Sequence, residues 1–157
     1  MKKQSAGILP YKFVKKQLHV FIAHPGGPFY RRKDNGFWTI VKGEMDAGEE
    51  PLAAAIREFK EETNLEIDGE FIQLTSRRQK SGKLVHVWAI ETDFSTDNIQ
   101  STTFPMEWPP KSGKMIDVPE LDKFEWFDAA TAMDKLLPAQ VGFVEEVMGM
   151  VGGKNRT

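Results

Sequence analysis

No stretch of the chain constrains the fold more than Glu49 to Leu65. The fixed φ of Pro51 suits the first turn of a helix, and Glu49 and Glu50 stand where the helix dipole favours negative charge. A helix is therefore expected from Pro51 to about Asn64. Each helical residue advances about 100° around the axis, so Glu58, Glu61 and Glu62, spaced i, i+3 and i+4, share one face. Leu52, Ile56, Phe59 and Thr63 form a neighbouring stripe fit to dock on a sheet, and Ala54, one turn before Glu58, leaves room beside the acids.

Strands are expected on both sides of this helix. Ser5 to Val14 and Leu18 to Ala23, separated by the polar Lys15-Lys16-Gln17, read as an opening hairpin. His24-Pro25-Gly26-Gly27-Pro28 breaks regular structure, and a basic loop carrying Arg31, Arg32 and Lys33 leads to a short strand over Phe37 to Val41. Beyond the helix, Glu70 to Thr75 and Lys83 to Thr92 read as strands joined across Gln79 to Gly82. Ser95 to Pro119 has little periodicity and is too long for an ordinary connector, as functional loops often are. Phe124 to Phe127 is a brief strand, Asp128 caps a helix to Leu137, and after Pro138 a last helix runs from about Ala139 to Met150. With 157 residues, 40% of them apolar, one domain over residues 1–151 and a flexible tail over 152–157 is the expected organisation.

Composition removes several chemistries. The chain has no cysteine, hence no disulfide, thiolate metal site or cysteine nucleophile. A net charge of -2, from 21 basic and 23 acidic residues, sets up no global field for nucleic acid or an anionic membrane. No apolar run is long enough to span a bilayer and the first residues have no signal-like core, so a cytoplasmic protein without nucleic-acid or membrane partners is expected. A polyanionic ligand must then be held locally.

Three carboxylates on one face repel, so they are either a solvated surface paired with Arg57 and Lys60 or a site for a compensating cation. Oxygen donors without cysteine or a nearby histidine suit a hard ion, magnesium or manganese, rather than zinc. The flanking residues favour the cation. Gly43 is followed after five residues by Glu49, and after seven more by Arg57-Glu58-Phe59-Lys60-Glu61-Glu62-Thr63-Asn64-Leu65. This run resembles the signature of the Nudix hydrolases, G, five residues, E, seven residues, R-E-U-x-E-E-x-G-U, with U aliphatic. Phe59 stands where an aliphatic residue is usual and Asn64 where glycine is usual. Phe59 still fits a core position, and asparagine is the next-best residue at a left-handed helix terminus.

The resemblance implies an α/β (α+β) fold, an α/β/α sandwich with a mixed sheet between helices, and magnesium-dependent cleavage of a phosphoanhydride in a nucleotide. It implies Glu58 and Glu62 as metal ligands, and Glu61 as a further ligand or the group that orients or deprotonates water. Glu49 and Arg57 would pair to fix the loop against the helix, and the Gly43 carbonyl would be a further ligand. A further acid is expected from the long loop, with Glu107 as first choice and Glu91, Asp93 and Glu120 as competitors. Lys42, Arg31 and Arg32, with Lys33, are candidates for phosphate contact, and Arg77, Arg78 and Lys80 form a second basic group. Trp108, Phe29, Tyr30 and Phe37 could stack a base, and His86 and Trp88 could face the cleft, although residues of these kinds more often serve packing.

Gly36-Phe37-Trp38-Thr39-Ile40-Val41-Lys42-Gly43-Glu44 resembles the run before the signature in diadenosine polyphosphate hydrolases. Asymmetric diadenosine tetraphosphate hydrolysis is the specific expectation. Its alternatives are a housecleaning nucleoside triphosphate pyrophosphohydrolase, a nucleotide-sugar hydrolase and a catalytically silent nucleotide sensor. Monomer and homodimer are both open.

Overall fold

The computed structural model describes residues 4–152. Strands β1 (Ser5–Val14) and β2 (Gln17–Pro25) form the expected hairpin, with both Lys15 and Lys16 in the left-handed region at φ 50° and 67°. That turn matches the twist of the flanking strands. Because β1 is central, it is buried on both faces through most of its length. One edge pairs in parallel with β6 (Leu84–Glu91); the other pairs first with β3 (Val41–Glu44), through Ser5 to Ile8, and then with β2, through Tyr11 to Val14. The sheet is completed by β9 (Leu121–Asp128) beside β2, and by β4 (Ile72–Gln73) and β5 (Arg77–Arg78) on the far edge of β6. A single parallel pair makes it mixed.

Helix α1 (Pro51–Thr63) covers one face of the sheet, over Ala6, Ile8, Phe21, Val41 and Ile90. The other face carries α2 (Ala129–Lys135) and α3 (Val141–Val151), packed on Leu9, Val20, Ile22, Val85 and Val87. This is the expected helix–sheet–helix arrangement. Asn64 closes α1 in the left-handed region at φ 60°, its amide donating to Lys60 O at 2.8 Å, so asparagine does the work of the usual glycine. Asp128 caps α2, accepting from the Thr131 amide at 3.1 Å. No helix among the described residues is long and apolar enough to cross a membrane.

Several expectations change. The strand expected over Glu70 to Thr75 forms only at Ile72–Gln73. The stripe of α1 that meets the sheet is Ala54, Ala55, Phe59 and Thr63, with Glu62 buried beside them, while Ile56 is 37% exposed. Two alanines bring the helix axis close to the sheet and rotate Ile56 to the rim. The proposed strand over Phe37 to Val41 is reduced to isolated bridges at Trp38 and Thr39, and the ladder begins at Val41. Helix α2 stops at Lys135 rather than Leu137. The long segment contains a separate two-stranded hairpin, β7 (Thr103–Glu107) and β8 (Met115–Pro119). Gly152 follows α3, and the rest of the expected tail, residues 153–157, lies outside the described residues.

Candidate active site

The site grows from the last two turns of α1 and the loop that leads into the helix. Arg57 is its hub. The guanidinium grips Glu49 with two bonds, Nε to Oε2 at 2.8 Å and Nη2 to Oε1 at 3.0 Å, while Glu49 Oε1 also accepts the Asp46 amide at 2.9 Å. The same arginine donates to the Glu44 carbonyl at 3.2 Å, to Glu58 at 3.0 Å and to both oxygens of Glu61 at 3.3 Å. Such a bidentate fork fixes direction as well as charge. It holds the Glu49 carboxyl down at about 2 and raises the pKa of Arg57 itself.

Gly43 sits against this cluster, and a Cβ there would fall 2.1 Å from the carboxyl carbon of Glu58. Any side chain would expel that acid. Glu58 is 16% exposed, and burial, only partly offset by Arg57, pushes its pKa up. Glu62 is 8% exposed and is also pushed up by burial; a hydrogen bond from Thr102 opposes this, while Glu120 and Glu58 add to it. Glu61 stays on the surface at 49%. Two carboxylates largely withdrawn from solvent, with shared repulsion, and main chain drawn in at Gly43 fit a hard divalent cation. Among the described residues no three His, Asp or Glu side chains converge as a cage.

Lys42 precedes Gly43 on β3; burial and the neighbouring Lys83 lower its pKa, with Glu44 and Glu58 acting the other way. Lys83 in turn reaches Glu44 Oε1 at 3.3 Å, adding a second lysine that the sequence reading did not single out. The site thus brings together Lys42, Gly43, Glu49, Arg57, Glu58, Glu61 and Glu62.

Most other candidates lie elsewhere. The carboxylate of Glu107 accepts the amides of Lys111 and Gly113, both at 3.1 Å, and so closes the turn of the β7–β8 hairpin. It stands about 16 Å along the strand from Thr102, at roughly 3.3 Å per residue. Glu120 is the acid that the hairpin root brings to Glu62. Asp93 pairs with Lys12 at 2.8 Å, and Glu91 ends β6. Trp108 is at the hairpin tip, its amide donating to Lys114 O at 2.9 Å. Arg31 and Arg32 are exposed; Arg31 borders a shallow cavity of about 300 Å³ with Ile116, Asp117 and Asp122. Arg77 is committed to α3, donating to Gly142 O at 3.1 Å with Glu146 3.7 Å away, and Arg78 donates to Gly82 O at 3.0 Å. His86 is held between Ser76 and Gln4, both at 2.6 Å, and Trp88 is core. Phe29 meets Tyr30 edge-on, and Tyr30 is tilted against Phe37, in the basic loop.

A family model described as NUDIX domain matches residues 1–147. An octanoyltransferase of Myxococcus xanthus is 31% identical over 106 residues, 68% of this chain and 27% of that protein. Nudix hydrolase 10 of Arabidopsis thaliana is 55% identical over 40 residues, 26% of this chain and 14% of that protein. The chain therefore spans about a quarter of the length of the first of these curated relatives and about a seventh of the second. A binary complex of the Ap4A hydrolase of C. elegans has a similar fold, with a TM-score of 0.68 at 18% identity, covering 96% of this chain and 99% of that one.

Proposed function

Since this chain belongs to the Nudix hydrolase family, we propose that it cleaves a phosphoanhydride bond in a nucleoside diphosphate derivative with magnesium, or manganese in its place. The observation that carries the reading is the pair Glu58 and Glu62, largely withdrawn from solvent one turn apart with their charge incompletely balanced. These two would hold the ion, with the Gly43 carbonyl and Glu120 as further oxygen donors. A bound divalent ion would neutralise phosphate oxygens and lower the pKa of attacking water. Glu61, at the surface of the same face, takes the proton as the water oxygen attacks phosphorus, and the anhydride P–O bond breaks to leave a phosphate oxygen. Arg57 and Glu49 touch no reacting atom; their fork keeps the loop seated on the helix. Lys42 and Lys83 would meet phosphate charge.

Asymmetric diadenosine tetraphosphate is the leading substrate, supported by the run Gly36 to Glu44 and by the two lysines beside it. A nucleoside triphosphate is the second. Release of phosphate and nucleotide from both, and from nucleotide sugars, should require magnesium, stop with chelator, and fall at least about 100-fold in Glu62→Gln, the scale of losing one preorganised charge contact. Cleavage that survives chelator, or full activity in Glu62→Gln, would sink the proposal. A folded protein that binds these nucleotides tightly and cleaves none of them would be a sensor.

A further inference from the structure

Thr102 lies immediately before β7, 40 residues beyond Glu62, and meets it across the site. Its hydroxyl donates to Glu62 Oε1, and its main-chain amide faces the same carboxylate. The residue as a whole is exposed, so its hydroxyl is not there to complete a core. What it meets is an acid in an unfavourable place: Glu62 is buried, and both Glu58 and Glu120 repel its charge. A carboxylate in that position turns outward to water unless a donor holds it.

The mount behind Thr102 is stiff. Its carbonyl accepts the Glu120 amide at 2.8 Å and the Ser101 hydroxyl at 3.0 Å, and Ser101 Oγ accepts the Leu121 amide at 3.0 Å. On the far side, the Glu120 carbonyl accepts the Gly26 amide at 3.0 Å. Gly26 packs so closely that a Cβ on it would fall 2.1 Å from Pro119 O. The hairpin root is thus clamped between the end of β2 and α1, and Thr102 is where that clamp touches the acid.

We propose that Thr102 is a positioning residue, which holds the Glu62 carboxylate in the orientation that ligates the divalent ion; the inference rests on Glu62 being a ligand, as argued above. It acts through Glu62 and not on the reacting atoms. Thr102→Val removes the hydroxyl at constant shape and Thr102→Ser keeps it, so the pair separates hydrogen bonding from packing.

Manganese binding, read directly by electron paramagnetic resonance of the free ion, supplies a measure that needs no substrate. Thr102→Val should weaken binding about 10-fold, within the range found for groups that orient metal ligands, and lower kcat more than it changes KM. Thr102→Ser should bind like wild type, and all three proteins should melt together. Unchanged manganese affinity in Thr102→Val, or equal weakening in Thr102→Ser, overturns the proposal. If wild type binds manganese through a Thr102-sensitive site yet hydrolyses nothing in the panel, the reaction assigned above fails while the positioning role stands. No manganese binding by wild type would overturn both.

Discussion

Helices α1 and α3 lie on opposite faces of one sheet, yet they are built for different ends. Helix α3 packs through Phe143, Val144, Val147 and Val151, all nearly inaccessible, and the charges of Glu145 and Glu146 stay off that stripe. Helix α1 packs through two alanines, Phe59 and Thr63, and carries Glu62 into the same buried row. An aliphatic residue at position 62 would stabilise the domain more than an acid whose charge is desolvated and repelled. The α3 side supplies cohesion, and the α1 side gives some of it up to hold carboxylates where water alone would not keep them.

Two substitutions should pull this contrast apart. Phe143→Ala removes a fully buried ring from the α3 layer and should cost about 3–5 kcal/mol of stability, with activity per folded molecule largely kept. Denaturant unfolding and active-site titration together measure both. Glu58→Gln should do the reverse, losing about 100-fold in kcat while the metal-free protein melts at or above the wild-type temperature. A Phe143→Ala protein that is stable but inactive would mean that the two faces are not separable.

The same contrast explains what could be seen in advance. Helix α1 rests on contacts within a few turns of chain, so its spacing exposed it, and the resemblance to the signature implied its Asn64 terminus and the Glu49–Arg57 pair. The rotation that buries Ala55 and frees Ile56 depends on how closely the helix approaches the sheet, which no periodicity encodes. Glu120 and Thr102 come to Glu62 from 58 and 40 residues away, through a hairpin whose strand carries Pro105 and whose turn is Pro109-Pro110-Lys111-Ser112-Gly113 rather than a two-residue glycine turn. Glu107 had the right chemistry in the right segment, but it was drawn to the two free amides of that turn instead.

Arg57→Lys tests the link between loop and helix. Lysine keeps the charge but not the fork that holds Glu49, Glu44, Glu58 and Glu61 at once. The loop should loosen, with activity reduced about 10- to 100-fold, as when other ligand-orienting partners are lost. Equal activity in Arg57→Lys would show that charge alone suffices and that the geometry of the fork is incidental.

The smallest effect is in the pH dependence of stability, where neighbours on the α1 side carry opposite signs. Glu49 falls from 4.5 to about 2 on folding because Arg57 and the Asp46 amide bind its charged form. The unfolded chain then takes up the proton first, so this contribution is complete above about pH 4.5 and is lost as pH falls toward about 2. Glu58 and Glu62 are raised, chiefly by burial, so the folded chain holds their protons longer. Their contribution is most favourable in acid and declines as pH rises through the folded values, until a divalent ion compensates the charge. Thermal melts should accordingly show an acid limb that flattens in Glu49→Gln, and a magnesium-induced rise in Tm that is larger at pH 8 than at pH 5. A magnesium effect that is the same at both pH values would break the comparison, because it would place the ion away from the two buried acids.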